Sequence, residues 1–178
     1  MTRKNILITG PPGIGKTTLA LRVGQELSDL RPAGFITEEI REKGRRKGFS
    51  LHSFDGRSGI LAHVDQGGGF RVGKYGVDVS GFEKFLDDIC FFDSPSGLII
   101  LDEIGKMECY SKKFREMVPR LFDDEGKVIV ATVARRGGGL IAEVKLRPDV
   151  DLFALDRHNR NQMVPAIVST VRGVIGND

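Results

Sequence analysis

The stretch GPPGIGKTT, residues 10–18, constrains this chain more than any other, because it follows the apolar run NILIT without a break. Its spacing, Gly10-x-x-x-x-Gly15-Lys16-Thr17, is the complete phosphate-binding loop (P-loop) pattern, set between a strand-like and a helix-like segment as that pattern requires. Several backbone N–H groups must converge on one phosphate, which takes dihedrals that glycine adopts cheaply. Pro11 and Pro12 carry no N–H, so the donors are expected from Gly13, Ile14, Gly15, Lys16 and Thr17. The helix that starts here adds the positive end of its dipole. Lys16 supplies a point charge to the β- and γ-phosphates, and the Thr17 hydroxyl offers a ligand to Mg²⁺. The nucleotide-contacting set so defined runs from Gly10 through Thr18.

Such a cradle needs an acidic partner opposite. The run LIILDE puts Asp102 and Glu103 at the C-terminal end of an apolar strand, and ligands of open α/β sheets bind outside such strand ends. Asp102 is the expected second metal ligand with Thr17, for Mg²⁺ or alternatively Mn²⁺. Glu103 is the expected base, orienting and polarising an attacking water. Without the P-loop upstream, both would read as solvated strand-end acids.

The next apolar strand, KVIVATVARRG, brings Thr132, Arg135 and Arg136 toward the same edge. Thr132 reads either as a sensor of the γ-phosphate or as an ordinary small strand residue. Arg135 or Arg136 would stabilise transition-state charge, unless simply solvated. RHNRN (157–161) opens the last helix. There the Arg157 or Arg160 stem is a candidate to flank the nucleobase, and His158 or Asn159 a candidate helix cap. The basic stretch 41–48, with Arg41, Lys43, Arg45, Arg46 and Lys47, reads as a solvated hairpin tip, contact with polyphosphate or nucleic acid being the alternative. The GGG runs at 67–69 and 137–139 read as flexible loop segments.

Strand-like runs recur at 5–9, 33–40, 48–54, 59–64, 97–103, 127–134 and 151–156. Between several of them lie helix-period segments. Leu19, Val23 and Leu27 share one face; Phe82, Phe85, Leu86 and Ile89 form another, with Ser80 as expected N-cap. Phe114, Val118 and Leu121 follow the cap Ser111. The last helix carries Met163, Ile167, Val171 and Val174, with Pro165 in its first turns. NILIT, GLIIL and KVIVA are continuously apolar, as parallel strands covered on both faces are. From 33 to 64, strand-like runs follow one another with turns at EKGRRKG and DGRSG. These patterns predict an α/β fold: a mostly parallel, doubly wound sheet flanked by helices, with an antiparallel β-hairpin insertion at 33–64. A single domain over 1–178 is expected.

Lys and Arg number 27 against 24 Asp and Glu, so total charge does not imply a nucleic-acid-binding surface. No apolar run approaches the ~20 residues of a membrane span, and the apolar part of the N-terminus is too short for a signal peptide. A cytoplasmic protein is expected, with Cys90, inside a helix-like run, and Cys109 as free thiols. Nothing sets the oligomeric state; a monomer is the default expectation.

Together, GPPGIGKTTL, GFITEEIREKGRRKGFSL, VGKYGVDVSGFEKF, LDEIGKMECYSKKF and HNRNQM resemble the small nucleoside-triphosphatases of thermophiles, often called cancer-related NTPases. The resemblance spans nearly the whole chain. It implies a RecA-like P-loop fold and Mg²⁺-dependent hydrolysis of several nucleoside triphosphates to diphosphate and phosphate. It also carries over Gly10–Thr17 as the nucleotide loop, and Leu98, Ile99, Ile100, Leu101, Asp102, Glu103, Ile104 and Gly105 as a second nucleotide-contacting stretch. Independently, no guanine-reading Asn/Thr-Lys-x-Asp motif occurs late in the chain, which fits low base selectivity. Two other classes compete: a kinase passing the γ-phosphate to a nucleotide, nucleoside or RNA, and a nucleic-acid-gated ATPase. Glu103 directly after Asp102 favours water as the acceptor.

Overall fold

A computed structural model of the chain describes residues 3–176. The strand β1 (Asn5–Thr9) feeds the P-loop and α1 (Lys16–Glu26). Next come β2 (Ala33–Glu42), β3 (Arg45–Ser53), β4 (Ser58–His63), β5 (Arg71–Val72) and β6 (Tyr75–Val77). The chain continues through α2 (Val79–Asp87), β7 (Leu98–Ile104), α3 (Lys112–Asp123), β8 (Val128–Val133), α4 (Leu140–Lys145), β9 (Val150–Ala154) and α5 (Arg160–Ile175).

All the strands join one sheet in the order β5-β6-β4-β3-β2-β7-β8-β1-β9. From β2 to β9 the neighbours run parallel; from β2 outward to β5 they run antiparallel. The parallel strands are apolar on both faces, and residue parity sorts their side chains. Ile6, Ile8, Leu98, Ile100, Val128 and Val130 pack with Leu19, Val23, Met163 and Ile167 of α1 and α5. Leu7, Ile99, Leu101, Ile129 and Ala131 pack with Phe82, Phe114, Val118 and Leu140 of α2, α3 and α4. This is the doubly wound arrangement that the continuous apolar runs imply.

Several local expectations need correction. The N-cap of α2 is Asp78, whose carboxylate accepts from the Gly81 N–H at 2.9 Å; Ser80 lies inside the helix, because β6 ends early enough for Asp78 to take the capping position. That helix stops at Asp87, so Cys90 lies beyond it and is exposed. Ser111 does cap α3, accepting from Phe114 N–H at 3.0 Å. The strands β5 and β6 and the six-residue α4 are too short to show a period, and the antiparallel run therefore continues past residue 64. The β2–β3 hairpin closes on Lys43 and Gly44, both left-handed at φ 48° and 77°, which matches the right-handed twist of its strands.

Candidate active site

Where β1 ends, the chain turns through Gly13 at φ 75° and Gly15 at φ 107°. Gly15 is the N-cap of α1 and provides no side-chain cap. The amides of Gly13, Gly15, Lys16, Thr17 and Thr18 have no backbone partner among the described residues and remain available to an anion. Ile14 departs from the expected donor set, since its N–H donates to the Pro11 carbonyl at 3.3 Å within the turn.

Because β8 lies between β1 and β7, the strand ends bring the P-loop, Thr132 and Asp102 to one edge. A cavity of about 600 Å³ opens there, lined by Gly10, Pro12, Gly13, Lys16, Thr17, Asp102, Glu103, Arg135 and Arg136. Lys16 Nζ bonds the Gly10 carbonyl at 3.2 Å and sits 3.7 Å from Glu103 Oε1. Asp102 is 1% exposed and held from two sides. Thr132 Oγ1 donates to its Oδ1 at 2.5 Å, and the Thr37 N–H to its Oδ2 at 3.2 Å. The Thr37 hydroxyl donates to the Asp102 carbonyl. Thr132 is thus not an idle strand residue: fully buried, it holds the Asp102 carboxylate. Burial pushes the Asp102 carboxyl above its ordinary range, and the Thr132 and Thr17 hydroxyls oppose that shift. Glu103 is likewise raised by burial, with the Lys16 ammonium pulling the other way.

Behind Glu103 lies an acid that the sequence reading overlooked. Glu108 is buried, and burial, reinforced by the charge of Glu103, lifts its pKa to about 8. A Cβ on Gly105 would lie 2.8 Å from Glu108 Oε2 and 3.1 Å from Glu103 Oε2, so both carboxyls crowd one small residue. Lys145 of α4 donates to the Ala134 and Arg135 carbonyls at 2.6 and 3.0 Å, bracing the segment that carries Arg135 and Arg136.

The 98–105 stretch divides sharply. Leu98, Ile99, Ile100, Leu101 and Ile104 are fully buried in the core, and of this stretch only Asp102 and Glu103 line the cavity. The opposite wall holds Thr37 and Glu39 of β2 and Arg46 and Phe49 of β3, so one member of the basic hairpin reaches the site. Parallel pairing of Phe35 with Leu101 brings β2 to the edge where Asp102 emerges. No local pattern in the sequence announces that pairing.

On the other side of the P-loop, a cavity of about 370 Å³ is lined by Ile14, Thr18, Arg22, Arg160 and Asn161. Arg160 is where a base-flanking stem was expected, while Arg157 and Pro11 line neither cavity. Asn159, one of the two expected caps, takes the N-cap position of α5 but its side chain makes no cap hydrogen bond; ahead of it Asp156 Oδ1 accepts the His158 and Asn159 amides at 2.7 and 2.9 Å. Another cavity, about 540 Å³ between α2 and α3, has Lys113 and Lys112 already paired with Asp87 and Glu116.

With this geometry in view, the likeness to known proteins can be placed. The NTPase family model matches residues 5–168. Nucleoside-triphosphatase THEP1 of Thermotoga sp. (strain RQ2) is 43% identical over 168 residues, covering 94% of this chain and 95% of that protein. The cancer-related nucleoside-triphosphatase of Homo sapiens is 36% identical over 184 residues, covering 95% and 97%. The crystal structure of THEP1 from the hyperthermophile Aquifex aeolicus superposes with a TM-score of 0.82 at 34% identity, covering 94% of this chain and 98% of that one. The matches run through the P-loop, the β2–β3 hairpin and the Asp102 strand alike, and the chain belongs to the NTPase family.

Proposed function

We propose that this chain is a Mg²⁺-dependent nucleoside-triphosphatase, hydrolysing ATP, GTP, CTP, UTP and TTP to the diphosphate and phosphate, slowly and with little base selectivity. One observation carries the reading: an uncapped helix N-terminus with Lys16 faces Asp102 and Glu103 across a single cavity. The P-loop amides and Lys16 would hold the β- and γ-phosphates. Glu103 would take the proton of the attacking water as its oxygen bonds the γ-phosphorus and the bridge to the β-phosphate breaks. Its raised proton affinity suits a base, and the Lys16 ammonium opposes that rise.

The described residues contain no cluster of three or more His, Cys, Asp or Glu able to hold a metal alone. The Thr17 hydroxyl and Asp102 carboxylate are hard oxygen donors of the kind Mg²⁺ uses in company with substrate phosphates, and they fit it. Bound there, the ion would neutralise charge developing between the β- and γ-phosphates. We include in the same reading a single domain and a cytoplasmic monomer; no helix among the described residues is long and apolar enough to cross a membrane.

The test is Glu103→Gln, which keeps size and hydrogen bonding but removes the base. Phosphate release should fall by roughly 10²-fold or more while triphosphate affinity stays near that of the parent. Parent-like turnover by a folded Glu103→Gln protein would remove Glu103 as base. A second reading is transfer of the γ-phosphate to a bound acceptor in place of water. Diphosphate formed without matching free phosphate, when nucleosides, nucleotides or RNA are added, would select it.

A further inference from the structure

The cavity holds three arginines, and they differ in how firmly they are held. All three are exposed, and no side-chain hydrogen bond fixes Arg135 or Arg136 among the described residues. Arg46 is anchored through two of its nitrogens. Its Nε donates to the Tyr75 hydroxyl at 2.9 Å and its Nη1 to Glu39 Oε1 at 2.8 Å. The guanidinium also lies 5.3 Å from the Phe49 ring centre and 5.6 Å from that of Tyr75. Glu39 is braced in turn by Arg41 Nε at 2.8 Å. Among the described residues, Nη2 alone of the three nitrogens has no partner.

A break in strand register accounts for this placement. The β2–β3 pairing passes from Ile40 opposite Gly48 to Arg41 opposite Arg46, leaving Lys47 as the extra residue of a bulge. Bulges re-aim the side chains beside them. Here Arg46 comes over the Phe49 and Tyr75 rings and onto the wall facing Lys16, Thr17 and Glu103, while Arg41, Lys43, Arg45 and Lys47 do not line the cavity.

We propose that Arg46 is a catalytic residue, the enzyme's own charge-stabilising arginine, its unspent Nη2 donating to the γ-phosphoryl oxygens as hydrolysis proceeds. The inference rests on the hydrolysis reading above. Negative charge spreads over those oxygens in the transition state, and a planar fork with one free arm matches it better than a point charge. The two fixed arms matter equally. The guanidinium is ordered before substrate arrives, so no partner protein is needed to deliver it. Arg135 and Arg136, unanchored, act as loose contacts to the polyphosphate.

The experiment compares the full-length parent with Arg46→Ala, Arg46→Lys, Tyr75→Phe and the Arg135→Ala/Arg136→Ala double variant, each checked by thermal melting. Three quantities are read: kcat for ATP with Mg²⁺, Kd for a non-hydrolysable ATP analogue, and binding of ADP with aluminium fluoride, which imitates the phosphoryl group in transfer. Arg46→Ala and Arg46→Lys should each lose roughly 10³-fold in kcat and lose the aluminium fluoride complex, with analogue affinity changed less than about threefold. Tyr75→Phe, which frees one anchoring arm, should fall between these and the parent. The double variant, which removes contacts to the polyphosphate, should weaken analogue binding and lose far less kcat than Arg46→Ala. Arg46→Ala retaining kcat within tenfold would overturn the proposal, as would a loss of analogue affinity as large as the loss of kcat, or full rescue by lysine. A parent that releases no phosphate from any triphosphate would overturn the hydrolysis reading, and this inference with it.

Discussion

The two cavities flanking the P-loop ask different things of a ligand. On the Asp102 side three groups are fixed, Asp102 by Thr132 and Thr37, Lys16 by Gly10 and Glu103, and Arg46 by Tyr75 and Glu39, while Arg135 and Arg136 there are not. On the α5 side, Thr18, Arg22, Arg160 and Asn161 are exposed, and no side-chain hydrogen bond fixes the two arginines or the asparagine among the described residues. Charge that is fixed and partly desolvated separates ligands steeply by their own charge. Flexible, solvated stems lie against any flat ring and separate one ring from another weakly. The molecule concentrates its order where phosphate charge would move and leaves the opposite side permissive.

The largest effect that would break this contrast belongs to Lys16. Its side chain is 12% exposed, and among the described residues its hydrogen-bond and ion-pair partners are the Gly10 carbonyl and Glu103, so Lys16→Ala should leave the fold intact. Turnover should drop by roughly 10³-fold, the scale of losing a fixed charge at the reacting group. Steady-state phosphate release from a protein with parent-like melting provides the measurement. Near-normal turnover would mean that the ordered side is not where the chemistry happens.

How far each side could be read from the sequence follows from the same contrast. The P-loop lies within nine consecutive residues and is legible there down to the uncapped start of α1, apart from the Ile14 amide, which turns back to Pro11. Asp102 was legible because an apolar strand ends on it. Thr37, Glu39, Arg46 and Phe49 were not, because they reach the cavity only through β2 pairing with β7 and a bulge opposite Arg41, and pairing partners and bulges leave no local signature. The basic run at 41–48 stands out in the sequence, but nothing local separates Arg46, which lines the cavity, from Arg41, Lys43, Arg45 and Lys47, which do not. Glu108 was passed over because an acid in DEIGKME looks like any other helix-edge acid until Gly105 and Glu103 are seen against it.

Glu108 also gives the middle-sized effect, because the ordered side carries a destabilising group and the permissive side has no counterpart. Burial pushes its pKa in the fold up to about 8 from the ordinary 4.5. The sign follows from which state binds the proton. Below 4.5 both folded and unfolded chains hold it, and the contribution is fully present. As pH rises toward 8 the unfolded chain ionises first, and that stability is lost. Glu108→Gln cannot ionise, so it should melt near the parent at pH 5 and above it at pH 8 to 9, each kcal/mol regained adding roughly 2–4 °C. Melting curves in metal-free buffer across that range decide the matter. Parallel pH profiles for the two proteins would show that Glu108 does not hold its proton in the fold.

The smallest effect concerns the permissive side, and there the prediction is of near-indifference. ATP, GTP, CTP and UTP present the same phosphates to Lys16, Thr17 and the loop amides, so they can differ only in what Thr18, Arg22, Arg160 and Asn161 make of the base. Without donors fixed by hydrogen bonding, those groups offer stacking and van der Waals contact, which change modestly from ring to ring. The four kcat/KM values should fall within about tenfold, or about 1.4 kcal/mol of transition-state discrimination. Arg160→Ala should raise KM for all four by a similar small factor and leave kcat alone, since a contact made equally in ground and transition states moves KM only. Steady-state kinetics for the four substrates on parent and variant test both statements. A preference of more than about 10²-fold for one base would require a donor or acceptor held in place against its edge, because loose contacts do not reach that ratio. If Arg160→Ala abolished such a preference, Arg160 would be the group reading the base, and the contrast between an ordered and a permissive side would fail at that residue.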